Sequence, residues 1–191
     1  MADGPHDRIK RYLKDAHALE MGILDRLNDM AGDTKDVDPA ISQLYAQHAT
    51  ETQSQADRLE MRLKELGDDA SGGKSMLSKL ASIGSDISDM FANRQDKTEQ
   101  GLMMAYATEH MEMAVYSALK AAAETLGDEP TARLAEQLFN EEKAAGDKIF
   151  PHVARFSRHV MLDAGAQSPE EQEENITEYA DKGYVSTADR L

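Results

Sequence analysis

Apolar residues recur at three- and four-residue steps in four stretches of the chain, and each stripe is broken near its middle by acidic residues or histidine. Such steps place residues on one face of a helix. From Asp7 to Ala31 the shared face carries Leu13, His17, Glu20, Leu24 and Leu27, and Gly32 supplies the expected stop. A second helix is predicted to begin at Asp38-Pro39, a capping residue followed by proline at the first helical position, and to end at Gly67. Its face reads Ile41, Leu44, His48, Glu51, Gln55, Leu59, Leu63 and Leu66, apolar at both ends and polar between. A third, from about Gln95 to Leu126 with Gly127 as its stop, aligns Leu102, Tyr106, Glu109, Met113 and Tyr116, with Glu112 beside them. Asp128-Glu129-Pro130 opens a fourth, aligned on Leu134, Leu138, Glu142, Ala145 and Ile149. Gly146 and Pro151 are expected to bend it before it fades near Gly165.

Residues 68–75, Asp-Asp-Ala-Ser-Gly-Gly-Lys-Ser, form a break. Leu77, Leu80, Ile83, Ile87 and Phe91 then mark a short crossover helix within a connection spanning about 68–94. Residues 167–191 are acidic with few large apolar side chains and read as a flexible tail. The prediction is therefore an all-α domain over residues 1–166, a four-helix bundle whose two hairpins are joined by a crossover segment between helices 2 and 3, as in ferritin-like topology. An up-down bundle with an inserted helix fits the same pattern.

Composition sharpens this picture. Among the 191 residues, 12 Gly, 5 Pro and few aromatic or β-branched residues leave little material for a sheet core. The absence of cysteine excludes disulfides, thiolate nucleophiles and cysteine-based zinc or iron–sulfur sites. A formal charge of −15 argues against nucleic acid and suits cations. No stretch approaches the roughly 20 apolar residues of a membrane span. The opening Met-Ala-Asp-Gly-Pro-His lacks the basic and apolar regions of a signal peptide, so a cytoplasmic location is expected.

The interruptions are the informative part. Glu20 lies on the first stripe, His48 and Glu51 on the second, Glu109 and Glu112 on the third, and Glu142 on the fourth. An unpaired carboxylate in a core costs several kcal/mol or keeps its proton. Several converging ones repel unless a cation sits among them, and one divalent ion, or two bridged by carboxylates, removes the conflict. His48 and Glu51 at i, i+3 place two donors one turn apart on one side. Bundle-core di-metal sites draw on this supply. Hard oxygens with one imidazole suit iron or manganese, with zinc as a further occupant.

These residues also carry a family likeness. His48-Ala-Thr-Glu51-Thr-Gln-Ser-Gln-Ala-Asp-Arg-Leu-Glu60, running on to Leu66-Gly67, resembles the second helix of the YciE/YciF-type ferritin-like proteins. Glu109-His110-Met-Glu112-Met-Ala-Val-Tyr116 resembles that family's third-helix Glu-His-x-Glu-x-x-x-Tyr motif. Asn140-Glu141-Glu142-Lys143-Ala144 looks like its fourth-helix acidic stretch, and Glu20, before Leu27-Asn-Asp-Met30, like its first-helix glutamate. The likeness covers roughly residues 7–160, with His17 standing where the family has tyrosine. It implies a ferritin-like bundle, a homodimer, and a dinuclear iron- or manganese-type centre linked to stress physiology. Carried over residue by residue, the ligands are Glu20, His48, Glu51, Glu109, Glu112 and Glu142, the six that periodicity places inward. One departure stands out. Position 145 is alanine, so Glu142 has no histidine three residues on, and Glu112 is the candidate replacement as an oxygen donor.

His17 is a reserve ligand, and His110, Tyr45, Tyr106 and Tyr116 are candidates to orient the ligating carboxylates. Met103, Met104, Met111 and Met113 read as core packing. Gly73-Lys74-Ser75 is no phosphate loop, because Asp68 stands where its first glycine belongs. His152, Arg155, Arg158 and His159 read as favourable charge near a helix C-terminus. The leading functional expectation is two divalent ions acting on oxygen or peroxide, either oxidising ferrous iron or breaking down peroxide in the manner of a manganese catalase. One alternative is a non-catalytic stress or interaction protein with a structural or vestigial metal site, its acidic tail contacting a protein partner. Another is a metal-free bundle whose acids face a dimer groove.

Overall fold

The computed structural model describes residues 4–71, 97–163, 165, 166 and 168. Four helices make up its regular structure, and no strand occurs among the described residues: α1 (Pro5–Thr34), α2 (Pro39–Glu65), α3 (Lys97–Thr125) and α4 (Glu129–Asp163). The chain divides into two compact units, Met1–Val153 and Ala154–Leu191. The buried cluster described below lies in the first unit. In the second, the Phe156 and His159 rings lie 6.3 Å apart. The crossover helix (Leu77 to Phe91), Gly73-Lys74-Ser75 and the tail from 169 onward lie outside the described residues.

Local chemistry sets the helix ends. The Asp38 carboxylate accepts from the Ala40 and Ile41 amides, and Pro39 opens α2 with an amide that needs no partner. Asp128 does the same for α4 through the Thr131 amide and hydroxyl. At the C-termini of α2 and α3 the chain turns through Gly67 and Gly127, with φ of 70° and 69°. The amides that follow return to Leu63 and Lys64, and to Ala123 and Glu124, as a left-handed glycine cap requires. Gly32 behaves differently from expectation. It stays inside α1, which runs to Thr34, where the threonine hydroxyl donates to the Met30 carbonyl. α4 is likewise helical through Gly146 and Pro151 to Asp163. His152, Arg155, Arg158 and His159 therefore sit inside it, and its last turn has no basic residue.

Packing at the two ends gives the direction of each helix. One apolar cluster joins the start of α1 (Ile9, Leu13) to the ends of α2 (Leu59, Leu63) and α3 (Leu119, Ala123) and the start of α4 (Ala132, Ala135). At the opposite end, Gly101 near the start of α3 lies against α1 and α2. A Cβ there would stand 3.1 Å from Met30 Cε and 3.3 Å from the Tyr45 hydroxyl. Helices α2 and α3 thus run in the same direction, antiparallel to α1 and α4. The connection between α2 and α3 must return the length of the bundle, which is the ferritin-like arrangement and excludes the up-down alternative. Arg62 locks the end of α2 to the start of α4, donating to Asp128 at 2.8 Å and Thr131 Oγ1 at 2.8 Å.

Candidate metal centre

Between the two end clusters the bundle interior is polar. Glu20 of α1, His48 of α2, Glu109 and Glu112 of α3 and Glu142 of α4 are all buried, none more than 4% exposed. They form two overlapping triads, His48–Glu109–Glu142 and Glu20–Glu112–Glu142, in each of which one ligand atom per residue lies within 4.8 Å of the others. Bonds of about 2.0–2.2 Å to a common ion would bring such atoms only slightly closer. Glu142 alone belongs to both triads, so its carboxylate is placed between two positions.

Hydrogen bonds hold this cluster from outside, but not enough of them. Tyr116 donates to Glu20. Gln55 Nε2 donates to Glu142 and, at 3.3 Å, to Glu141, which in turn pairs with the Arg58 guanidinium. His48 Nε2 lies within hydrogen-bond distance of Glu109 Oε1, at 2.9 Å. One oxygen each of Glu20, Glu109 and Glu142, and both of Glu112, are buried with no hydrogen-bond partner among the described residues. A buried carboxylate left this way either keeps a proton or meets a cation.

Without a cation the balance at Glu20, Glu112 and Glu142 shifts toward the protonated form. Burial pushes Glu20 up to about 7, against the donated Tyr116 hydroxyl bond. Glu142 rises to about 10, through burial first and then the charges of Glu20 and Glu109. Glu112 rises well above the ordinary range for the same reasons, with Glu20 and Glu142 as the leading charges. At His48 burial disfavours the imidazolium, yet the bond to Glu109 and the surrounding carboxylates outweigh it and raise the pKa. Four buried carboxylates would balance the charge of two divalent ions, and a neutral His48 would offer one nitrogen donor.

The other candidates fall around this cluster. Glu51 is outside it, its side chain 37% exposed, with Oε1 3.0 Å from Lys148 Nζ and 3.1 Å from Gln47 Nε2. Its second oxygen is 3.7 Å from His48 Nδ1. His48, Glu51, Lys148 and Ala145, where a second histidine would stand, line a pocket of about 10 Å³, room for about one water. His17 is half-buried, and burial lowers its pKa despite the nearby Glu60 and Asp57. It joins neither triad. His110 is exposed, its ring tilted 54° against Tyr106, which also meets Phe150. Tyr45 is fully buried, its hydroxyl without a partner among the described residues and its pKa raised by burial. Two contributors were not anticipated. Gln55 was on the predicted stripe but unweighed, and the Arg58–Glu141 pair behind it gave only the signal of adjacent charged positions on facing helices.

A family model described as "Domain of unknown function (DUF892)" matches residues 5–159. Among solved structures the chain is similar to YcfI from Rhodopseudomonas palustris, with 30% identity and a TM-score of 0.67 over 77% of this chain and 93% of that one. It is also similar to the E. coli stress protein YciF, at 22% identity and a TM-score of 0.70, covering 82% and 98% of the two chains. A protein from Xanthomonas campestris pv. campestris gives 21%, 0.69, 85% and 100% respectively. At their lower identities these last two establish the fold. The YciE/YciF-type likeness drawn from the helix motifs is the one found. No described helix is long and apolar enough to cross a membrane.

Proposed function

This chain belongs to the DUF892 family, and from that premise we propose that it is a ferritin-like carboxylate protein that binds two divalent metal ions, iron foremost and manganese or zinc as alternatives. The observation that carries the reading is the set of buried, donorless carboxylate oxygens on Glu20, Glu109, Glu112 and Glu142. Glu20 and Glu112 would hold one ion, His48 and Glu109 the other, and Glu142 both. When bound, iron or manganese would supply one-electron redox chemistry and Lewis acidity toward oxygen or peroxide, and zinc the Lewis acidity alone. The chain's own residues do the rest. Tyr116 orients Glu20, Gln55 fixes Glu142, and the apolar cluster excludes bulk water from the closed side. The pocket beside His48 admits only small molecules, which suits an oxidant of two heavy atoms. Glu51, held by Lys148, is proposed as a ligand that is drawn in only on loading.

The test is metal content per chain by elemental mass spectrometry after iron or manganese loading, with E142Q and E51A beside the unaltered chain. Near two ions, lost in E142Q, supports the reading, and no retained ion refutes it. A second reading keeps the metal but not the turnover. It is favoured by the single nitrogen donor and by Lys148, which neutralises Glu51 in place of an ion. In that case loading raises the melting temperature and ferrous oxidation by oxygen or peroxide stays at background. A homodimer and a tail that meets a protein partner are part of the same proposal. Exposed Tyr12 and Met21 on α1 and Met61 on α2 offer apolar material for the former, and size-exclusion chromatography with light scattering tests it.

A further inference from the structure

The two triads share Glu142 but are otherwise unlike. One offers an imidazole and two carboxylates, the other three carboxylates. Their surroundings differ in the same sense. Tyr116, which donates to Glu20, is itself part of the apolar cluster that closes one end of the bundle, so the Glu20–Glu112 side is sealed. His48 instead lines the small pocket between α2 and α4. An ion there can complete its coordination with water, whereas the sealed side offers carboxylate oxygen alone.

Resting on the two-ion reading above, we propose that the halves are chemically unequal and that the protein is a mixed-metal binder. The Glu20–Glu112 half takes a hard, oxygen-preferring ion of the Mn²⁺ class, and the His48–Glu109 half takes a borderline ion of the Fe²⁺ or Zn²⁺ class. Imidazole favours later divalent metals, while carboxylate-only sites suit manganese. The donorless oxygens of Glu112, both fully buried, are the independent sign that the oxygen half is built to receive a cation rather than being a solvated acidic patch.

The test uses the full chain stripped of metal, then given excess manganese with one equivalent of zinc and desalted. Elemental mass spectrometry reads the total, and anomalous diffraction at the zinc and manganese edges reads the positions. The expected result is about one zinc and about one manganese per chain, with zinc against His48. In H48Q the zinc signal spreads over both halves. E112Q keeps zinc and loses manganese, an arm that stands even if H48Q does not fold, which circular dichroism reads first. Zinc divided evenly in the unaltered chain, or concentrated at Glu20–Glu112, overturns the inequality while two retained ions leave the two-ion reading intact. No retained ion overturns both.

Discussion

Removing metal should make the stability of this chain fall as pH rises from 5 to 8. In the folded, metal-free chain Glu20 is raised from the ordinary 4.5 to about 7, and Glu142 to about 10. A carboxyl raised on folding costs nothing below its unfolded pKa. Above that value stability is lost at about 1.36 kcal/mol per pH unit, until the folded pKa is reached. At pH 7 this amounts to about 3 kcal/mol for each of Glu142 and the half-titrated Glu20. The charge of Glu109 enters both figures and that of Glu20 enters the figure for Glu142, and discounting this overlap leaves about 4–6 kcal/mol between pH 5 and 8. The raised His48 works the same way, since its stabilisation is complete below 6.5 and is lost as pH climbs through its folded pKa. His17, lowered by burial, works the opposite way up to pH 6.5 and trims the decline there. At Glu51 and Asp128 burial is outweighed, and their lowered pKa values place their pH dependence below this window. For a chain of this size the melting temperature should drop by about 10–20 °C. The assay is thermal melting by circular dichroism across the pH series, with chelator and with two equivalents of manganese. In the loaded chain the decline should vanish, because binding at pH 7 displaces about two to three protons and strengthens with pH. A metal-free melting temperature flat from pH 5 to 8, or unchanged by chelator at pH 8, would refute the reasoning. E142Q sharpens it, being more stable than the unaltered chain when both are metal-free at pH 8 yet unable to retain a full complement of ions.

Three further outcomes follow from single contacts. Y116F removes the hydroxyl that donates to Glu20 and should cost about 1–3 kcal/mol in the metal-free chain, with manganese affinity down about 10–100-fold by competition with a fluorescent chelator. R62A, which unties α2 from Asp128 and Thr131, should lower stability by about 1–3 kcal/mol in urea melts while leaving metal content unchanged. G127A forces a Cβ into φ 69° and should cost about 1 kcal/mol, whereas G32A, where φ is not positive and no atom stands within 4 Å of the new Cβ, should be neutral or mildly stabilising.

How much of this was legible depends on the kind of signal. Caps were read correctly because Asp38, Asp128, Gly67 and Gly127 each satisfy backbone groups within a few residues. Gly32 misled because a glycine only permits a left-handed turn. The turn that ends α1 comes later, where Val37 and Asp38 donate to the Thr34 carbonyl. For the site, periodicity found five buried residues but was coarse in angle. At about 100° per residue, Glu51 sits about 60° round the helix from His48, while Gln55 sits about 20° away. That difference sends Glu51 to the rim with Lys148 and Gln55 into the core against Glu142. A three-residue step marks the same side of a helix, not the same line, and the seven-residue step carried the better information.

Chain direction explains why the two halves of the site differ at all. In any four-helix bundle the middle residues of all four helices meet at mid-height, so the carboxylates alone do not depend on topology. Their neighbours do. With α2 and α3 parallel, the residues following His48 and those following Glu109 descend toward the same end, the one closed by Leu13, Leu59 and Leu119. Gln55, Glu112 and Tyr116 therefore gather on that side, where they hold Glu142 and Glu20. His48 is left facing the other way, beside the pocket with Glu51 and Lys148. Were α3 reversed, Tyr116 would lie beyond Glu109 toward the Tyr45 end, and Glu20 would lose its donor. The long connection between α2 and α3 is thus what gives a ring of similar carboxylates one sealed face and one that reaches solvent.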